Sequence, residues 1–309
     1  IYLHFQGEKS LQTARTIVFN DSASVLNLKG IAEISKVKFL DSLTTGKLIA
    51  AEDVSIQSLT HIGHSNIDIV SGKTLTVKDD FGVDVNKFMV MSGSGGTLKL
   101  ENSLTLSGTL QMDGQSRLES GTLSFNSGVL SVNQDSIVGS TIVHADSSTI
   151  QISSGKILKL ESNFTVPELI KMNLTGSGGV LKLGNTLTVE GIVEFAVPHT
   201  LDSGKVLLNG GTLSVKQDVS MSSTVTHSKD SKVEVLTGST LTLLGGDIDV
   251  GEKKLTLSGG GSIANQDQLI LNDPLSILKL DGIGSIKNVS MPVTFSTGKL
   301  EVSENAIVQ

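Results

Sequence analysis

The chain has 309 residues, a net charge of −7, 38% hydrophobic and 3% aromatic residues, and no cysteine. Its only arginines are Arg15 and Arg117, so it lacks the basic surface that nucleic acid requires, and no apolar run approaches the roughly 18 residues of a membrane-spanning helix. Without cysteine, disulfides and zinc–thiolate sites are excluded. We therefore expect no nucleic-acid partner, no membrane insertion by this segment and no cofactor.

The first residues stand apart from the rest. Ile1–Gly7 reads IYLHFQG, which shares the L-x-F-Q-G core of an engineered protease site and is equally compatible with native sequence. We treat residues 1–9 as a tag or flanking segment. From residue 10 onward the composition does not change, and no proline-rich or charge-block linker interrupts it, which predicts a single elongated domain over residues 10–309.

The chain repeats itself with a period of 83 residues. His61, His144 and His227 are spaced by this period, and Gly93–Met112 matches Gly176–Phe195 at eleven of twenty positions. The sequence copies are residues 10–92, 93–175 and 176–258, followed by a partial copy at 259–309. Offsets between the first two copies vary slightly, which places small insertions and deletions in loops.

Taken in chain order, each copy is a series of short bursts in which apolar residues alternate with polar ones. This period of two predicts strands, and the Gly, Ser, Asn and Asp residues between bursts predict turns. No sustained i, i+3, i+4, i+7 apolar stripe is present, so helix should be nearly absent. The clearest pairs are Leu98 and Leu100, Leu104 and Leu106, Leu110 and Met112, Leu123 and Phe125, Leu130 and Val132, Ile150 and Ile152, Leu158 and Leu160, and Phe164 and Val166.

Strands this short are not stable as isolated hairpins, but they can stack on their own copies as coils of a solenoid. A coil of three short strands and three turns takes about 20 residues, so each 83-residue copy corresponds to about four coils. Because parallel connections are normally right-handed, we predict an all-β, right-handed parallel β-helix. The alternative is an array of antiparallel β-sandwich modules.

Three phrases carry a family resemblance: GTLKL at 96–100, LTLSGTL at 104–110 and SGVLSV at 127–132. With the low aromatic content and the lack of cysteine, they resemble the β-helical passengers and repeat regions of large bacterial surface proteins, including autotransporter and filamentous-haemagglutinin-type adhesins. The resemblance covers nearly the whole chain and lies in rhythm and composition, so it transfers no functional residue. It implies export, an extended stalk and adhesion.

The repeated histidines suggest a metal site until the predicted geometry is considered. Copies four coils apart lie roughly 19 Å from one another, too far to share one ion, so duplication explains them, with pairing between molecules as the alternative. Gly63-His64 resembles a segment of β-helical pectin-degrading hydrolases, but the acidic pair Asp79-Asp80 follows the histidine instead of preceding it. We predict no catalytic, metal-binding or cofactor-binding residue.

Other patterns have structural interpretations. The Gly245–Val250 segment, GGDIDV, resembles one calcium-binding β-roll repeat and is interpreted as a turn with solvated carboxylates. The lysines of Leu-Lys-Leu triplets are predicted to point outward as charged residues that discourage strand aggregation. They are Lys99, Lys159, Lys182 and Lys279.

These observations predict a non-enzymatic structural or adhesive β-solenoid segment of a longer secreted or cell-surface bacterial protein, acting as a stalk or an adhesion surface. Its partner would be a host or neighbouring-cell surface, a glycan or another copy of itself. One alternative is a tailspike-like polysaccharide-binding or polysaccharide-processing β-helix, favoured by a concave cleft with Asp or Glu from several coils and opposed by a uniform Ser/Thr/Lys face. Another is a self-assembling fibre subunit.

Overall fold

The computed structural model describes residues 2–6, 16–19, 24–29, 31–39, 45–61, 63–176, 178–265, 268–271, 273–290 and 298–308. These residues form β-strands and connecting turns, with no helix among them. The chain divides into two compact units, residues 1–162 (unit 1) and 163–309 (unit 2). In each unit, parallel sheets stack turn upon turn as a β-solenoid, which confirms the predicted fold class.

The described part of unit 1 contributes twenty strands. In chain order they are β1 (Tyr2–Gln6), β2 (Ile17–Phe19), β3 (Val25–Lys29), β4 (Glu33–Phe39), β5 (Thr45–Ala50), β6 (Val54–His61), β7 (His64–Ile69), β8 (Thr74–Val77), β9 (Phe81–Val83), β10 (Phe88–Met91), β11 (Thr97–Leu100), β12 (Ser103–Leu106), β13 (Thr109–Met112), β14 (Arg117–Glu119), β15 (Thr122–Phe125), β16 (Val129–Val132), β17 (Ser136–Val138), β18 (Thr141–His144), β19 (Ser148–Ile152) and β20 (Ile157–Leu160).

Three sheets form the faces of unit 1. Face A has the order β1-β3-β5-β7-β10-β13-β16-β19, face B has β2-β4-β6-β8-β11-β14-β17-β20, and face C has β9-β12-β15-β18. Each strand pairs with the strand one turn away, not with its neighbour along the chain. The described part of residues 1–9 is β1, which pairs in parallel with β3.

The described part of unit 2 repeats this arrangement. Its strands are β21 (Phe164–Val166), β22 (Lys171–Gly176), β23 (Val180–Leu183), β24 (Thr186–Val189), β25 (Ile192–Phe195), β26 (His199–Asp202), β27 (Lys205–Asn209), β28 (Thr212–Val215), β29 (Val219–Met221), β30 (Thr224–Lys229), β31 (Ser231–Val235), β32 (Thr240–Leu243), β33 (Ile248–Asp249), β34 (Lys254–Ser258), β35 (Ser262–Asn265), β36 (Leu269–Ile270), β37 (Ile277–Asp281), β38 (Ser285–Ile286), β39 (Val289–Ser290), β40 (Lys299–Val302) and β41 (Ile307–Val308).

Within unit 2, face A is β22-β25-β28-β31-β34-β37-β40 and face B is β23-β26-β29-β32-β35-β38-β41. Face C is β21-β24-β27-β30, and the three strands β33-β36-β39 form a separate small sheet after it. Four face A strands begin within residues 93–175, namely β13, β16, β19 and β22, and four begin within residues 176–258, namely β25, β28, β31 and β34. Each 83-residue copy therefore makes four turns, as predicted.

The ladders between these strands are parallel, and antiparallel pairing among the described residues is limited to two isolated bridges, Leu236 to Gly260 and Ser258 to Gly282. The antiparallel-sandwich alternative is therefore wrong. The handedness of the coil stays a prediction. The coil also differs from expectation at its start, where β3 to β6 supply two longer strands per turn. β6 continues without a break through Val54–His61 and contacts both β8 and β9.

The core of each unit consists of columns of aliphatic side chains stacked one per turn. On face A of unit 1, Leu110 is in register with Leu130, and Leu130 with Ile150; all three are 0% exposed. On face A of unit 2, Val193 and Leu213 are in register and are 0% and 1% exposed. Full burial of one such side chain contributes about 1.5–3 kcal/mol, so the repeated columns supply the main stabilisation.

Some turns bring backbones of successive coils too close for a side chain. A Cβ on Gly128 would lie 2.2 Å from the carbonyl oxygen of Leu106, and one on Gly211 would lie 2.6 Å from that of Val189. These glycines are 83 residues apart and occupy the same place in successive copies. A second set adopts positive φ with open space around it, namely Gly72, Gly155 and Gly238.

The two kinds of glycine should respond differently to alanine. We expect Gly128→Ala to lower the free energy of unfolding by about 2–3 kcal/mol, since the backbone must shift to accept the methyl group. Gly155→Ala has free space and should cost about 1 kcal/mol from its φ of +66° alone. Urea unfolding followed by circular dichroism measures both, and equal losses would contradict the close-approach explanation.

Candidate functional site

The repeated histidines lie on the inner side of the coil. His144 lies in the inner face C column that runs through Leu106 and Phe125. His227 holds the equivalent place in unit 2, in register with Leu208. His61 is buried at the end of β6. In unit 1, three face C strands, β9, β12 and β15, come between His61 and His144 along the chain, so the two imidazoles belong to different turns.

His144 is part of the packed core. It is 5% exposed, its ring stacks on Phe125 with 5.3 Å between ring centroids, and its Nδ1 lies 3.0 Å from the Ser148 hydroxyl. Burial lowers its pKa to about 4, and burial likewise lowers the pKa of His61 to about 4. Both side chains are therefore neutral at physiological pH.

His227 has a looser setting. It is half-buried, its Nδ1 lies 3.4 Å from the carbonyl oxygen of Lys229, and the ladder shifts register between Leu208 and Asn209. His227 also lines an otherwise mainly aliphatic cavity of about 20 Å³, large enough for about one water molecule. The cavity lies where face C ends at β30 and the small sheet begins at β33.

His64 has a structural role between neighbouring face A strands. Its Nδ1 accepts a hydrogen bond from the Phe88 backbone N–H at 3.2 Å, and its ring stacks on Phe88 at a centroid distance of 3.7 Å. The Gly63-His64 segment therefore links β7 to β10 in the structure. Among the residues the structure describes, no group of three or more His, Cys, Asp or Glu side chains is arranged to hold a metal ion.

The acidic segment at 245–250 joins turns through backbone contacts. Asp247 Oδ1 accepts a hydrogen bond from the backbone N–H of Gln268 at 2.7 Å, and Asp249 Oδ1 accepts one from Gly251 at 2.9 Å. These are the turn contacts of short acidic side chains. The carboxylates serve the backbone of this turn and of the next.

Sequence reasoning missed a recurring clamp between turns. Asp135 Oδ1 accepts a hydrogen bond from the Ile157 backbone N–H at 2.9 Å, and Asp218 Oδ1 accepts one from the Thr240 N–H at 2.8 Å. Asp53 makes the same contact with the first residue of β8 at 2.8 Å. Each clamp ties one turn to the first amide of the next face B strand. The aligned copies both hold aspartate at this position, as Asp135 and Asp218, and this match is the signal that could have revealed the clamp.

The lysines of the Leu-Lys-Leu triplets point outward, as predicted. Lys159 is 2.9 Å from Glu161, and Lys182 is 3.4 Å from Asp202. Lys279 is 3.2 Å from Asp281. Glu161 also pairs with Arg117 at 2.6 Å, across the intervening turn at Gly139. Exposed pairs of this kind contribute roughly 0.2–1 kcal/mol each.

Face B of unit 2 carries a shallow groove of about 310 Å³. Four of its nine lining residues carry a hydroxyl group, and Asp218 is the one carboxylate in the lining. A cleft with acids from several coils would have favoured polysaccharide processing, and this groove has an acid from one coil only. The hydroxyl residues are Thr200, Ser220, Thr240 and Thr242.

Comparison of the chain with protein-family models, with curated proteins and with solved structures finds no match. A search of the described residues also finds no helix long and apolar enough to cross a lipid bilayer.

We predict that buried His144 makes unit 1 sensitive to acid. The unfolded imidazole binds a proton near its ordinary pKa of 6.5 and the folded one only near 4, so stability present above pH 6.5 is lost as pH falls toward 4. The loss from this residue should be about 3 kcal/mol. His144→Leu, which copies Leu106 from the same column, should flatten the pH dependence of urea unfolding between pH 7 and 4.5. An unchanged slope would contradict the burial argument.

We predict that the aspartate clamps stabilise neighbouring turns. Asp135→Ala removes the acceptor for the Ile157 N–H and should lower the free energy of unfolding by about 1 kcal/mol, whereas Asp135→Asn keeps an oxygen at that position and should cost less. Hydrogen exchange at the Ile157 amide provides the local measurement. Equal protection of that amide in the wild type and in Asp135→Ala would show that the clamp has no effect.

Proposed function

We propose that the chain is a non-enzymatic structural segment, a spacer within a longer secreted or cell-surface protein. The observation that carries the proposal is the joining of consecutive turns by parallel ladders and by side-chain pairs about one turn apart. Ladder hydrogen bonds run along the stacking direction. A pull along that direction therefore loads the bonds of all faces of a turn together, which suits a segment that holds other parts of a protein at a distance.

Charged residues on face A of unit 2 illustrate the reinforcement. Lys171 is 2.9 Å from Glu194, Lys216 lies between Glu194 and Glu234 at 4.0 and 3.8 Å, and Lys232 is 2.9 Å from Glu234. Each pair is modest in energy, but a network resists the separation of neighbouring turns better than isolated pairs do. Charged side chains of both signs on this face also discourage its strands from pairing with other sheets.

An extracellular or cell-surface location is supported by the resemblance of the repeated phrases to bacterial surface proteins. The absence of cysteine is compatible with an oxidising environment, and the outer faces carry short hydroxyl and amide side chains suited to contact with water and polar surfaces. As partners of such a segment we propose a host or neighbouring-cell surface.

Location is the first testable part of this proposal. Antibodies raised against the chain should label intact cells of the source organism, or its culture medium, without permeabilisation. An antibody against a cytosolic protein serves as the control for cell integrity. Labelling that appears only after permeabilisation would contradict a surface or secreted location.

We expect the chain to have no hydrolytic activity towards polysaccharides. Incubation of the purified chain with pectin, xylan and other polysaccharides should release no new reducing ends. Glycoside hydrolysis uses two carboxyl groups, so release that is lost when Glu194 or Asp218 is replaced by its amide would establish an enzyme and overturn the proposal.

A further inference from the structure

The groove on face B of unit 2 follows three successive strands. Thr200 of β26 is in register with Ser220 of β29, and Ser220 with Thr242 of β32. These short side chains point outward and form the groove, while Asp218 and Thr240 line it at the turn that leads into the sheet. With strands about 4.8 Å apart, the three positions span about 10 Å.

The duplicated copy in unit 1 shows what this face looks like when it is filled. Eighty-three residues earlier, the same three register positions hold Arg117, Ile137 and Lys159. Arg117 and Lys159 both pair with Glu161, so long side chains cover the strands there. The two copies share strand register and the aspartate clamp, and the difference between a covered face and a groove comes from side-chain length.

The lining determines which ligands are suitable. Asp218 is a hydrogen-bond acceptor, and no lysine or arginine lines the groove, so an anionic ligand would lack a counter-charge. His199, 4% exposed, also lines it, and its Nδ1 donates a hydrogen bond to the Val197 carbonyl at 3.0 Å. Threonine and serine hydroxyls both donate and accept. A ligand rich in hydroxyl groups complements this set.

We propose that the groove formed by Thr200, Ser220, Thr242 and Asp218 binds an uncharged oligosaccharide. The volume of about 310 Å³ lies at the lower end of the range for small-molecule sites, which fits a short stretch of sugar rings. Pro198 offers an apolar surface beside the hydroxyls for the C–H face of a ring. This binding goes beyond the proposed spacer function and does not depend on it.

The test uses the full chain, isotopically labelled, titrated with cellohexaose, maltohexaose, laminarihexaose and chitohexaose. At least one hexasaccharide should shift the amide signals of Thr200, Ser220 and Thr242 with a Kd of about 1 mM or lower. The His199 imidazole signals should shift with them. The imidazole of His144, which is buried in unit 1, should not respond.

Variants taken from the duplicated copy provide the matched comparison. The triple variant Thr200→Arg, Ser220→Ile, Thr242→Lys should weaken binding about tenfold or more. Ser220→Ile alone should weaken it measurably and serves if the triple variant misfolds. Thr188→Arg, on face C of the same unit, should bind normally. Absence of shifts with all four sugars, unchanged binding by Ser220→Ile, or groove shifts with hexaglycine but not with the sugars would overturn the proposal.

Discussion

In-register stacking of inner aliphatic side chains is the constraint on which the rest of the structure depends. Leu110, Leu130 and Ile150 can be fully buried only if every turn returns the chain to the same position one strand spacing further on. That requirement explains why the connections contain glycine where backbones nearly touch, as at Gly128, and why aspartates such as Asp135 reach the first amide of the next strand. The outward residues are freer to vary: Ile137 becomes Ser220 in the next copy, whereas an inward exchange such as Leu110 to Val193 stays aliphatic.

Much of the fold could be predicted from the sequence because two periods in it reflect the structure directly. One is the two-residue alternation of apolar and polar side chains, and the other is the 83-residue repeat. Alternation at Leu98 and Leu100 gives strands, and the 83-residue spacing of His61 and His144 gives four turns per copy. The two-strand turns near the start were not predictable in the same way. In β6 two successive residues, Gln57 and Ser58, are not buried, which interrupts the alternation of buried and outward side chains. One continuous strand therefore spans the length that later turns divide between strands of two faces.

The outer-face features required the structure. Partners across neighbouring turns are 19 to 24 residues apart with no fixed value, so the sequence does not reveal that Ser220 lies beside both Thr200 and Thr242. The same uncertainty hid the pairing of Arg117 with Glu161 across Gly139. Function was harder to predict than fold for the same reason. The inner columns define the scaffold, whereas the properties of each outer face depend on side chains from different turns that the strand register places side by side.

The most direct test of the stacking account is engineered disulfide formation, which the absence of native cysteine makes unambiguous. Thr105 and Ser124 are register partners on the outer side of face C, whereas Thr105 and Thr122 are diagonal neighbours. Cysteines replacing the register partners should be about 4.8 Å apart at Cα and form a disulfide readily, while the diagonal pair, at about 8 Å, should not. Cross-linking of the diagonal pair in preference to the register pair would contradict the account.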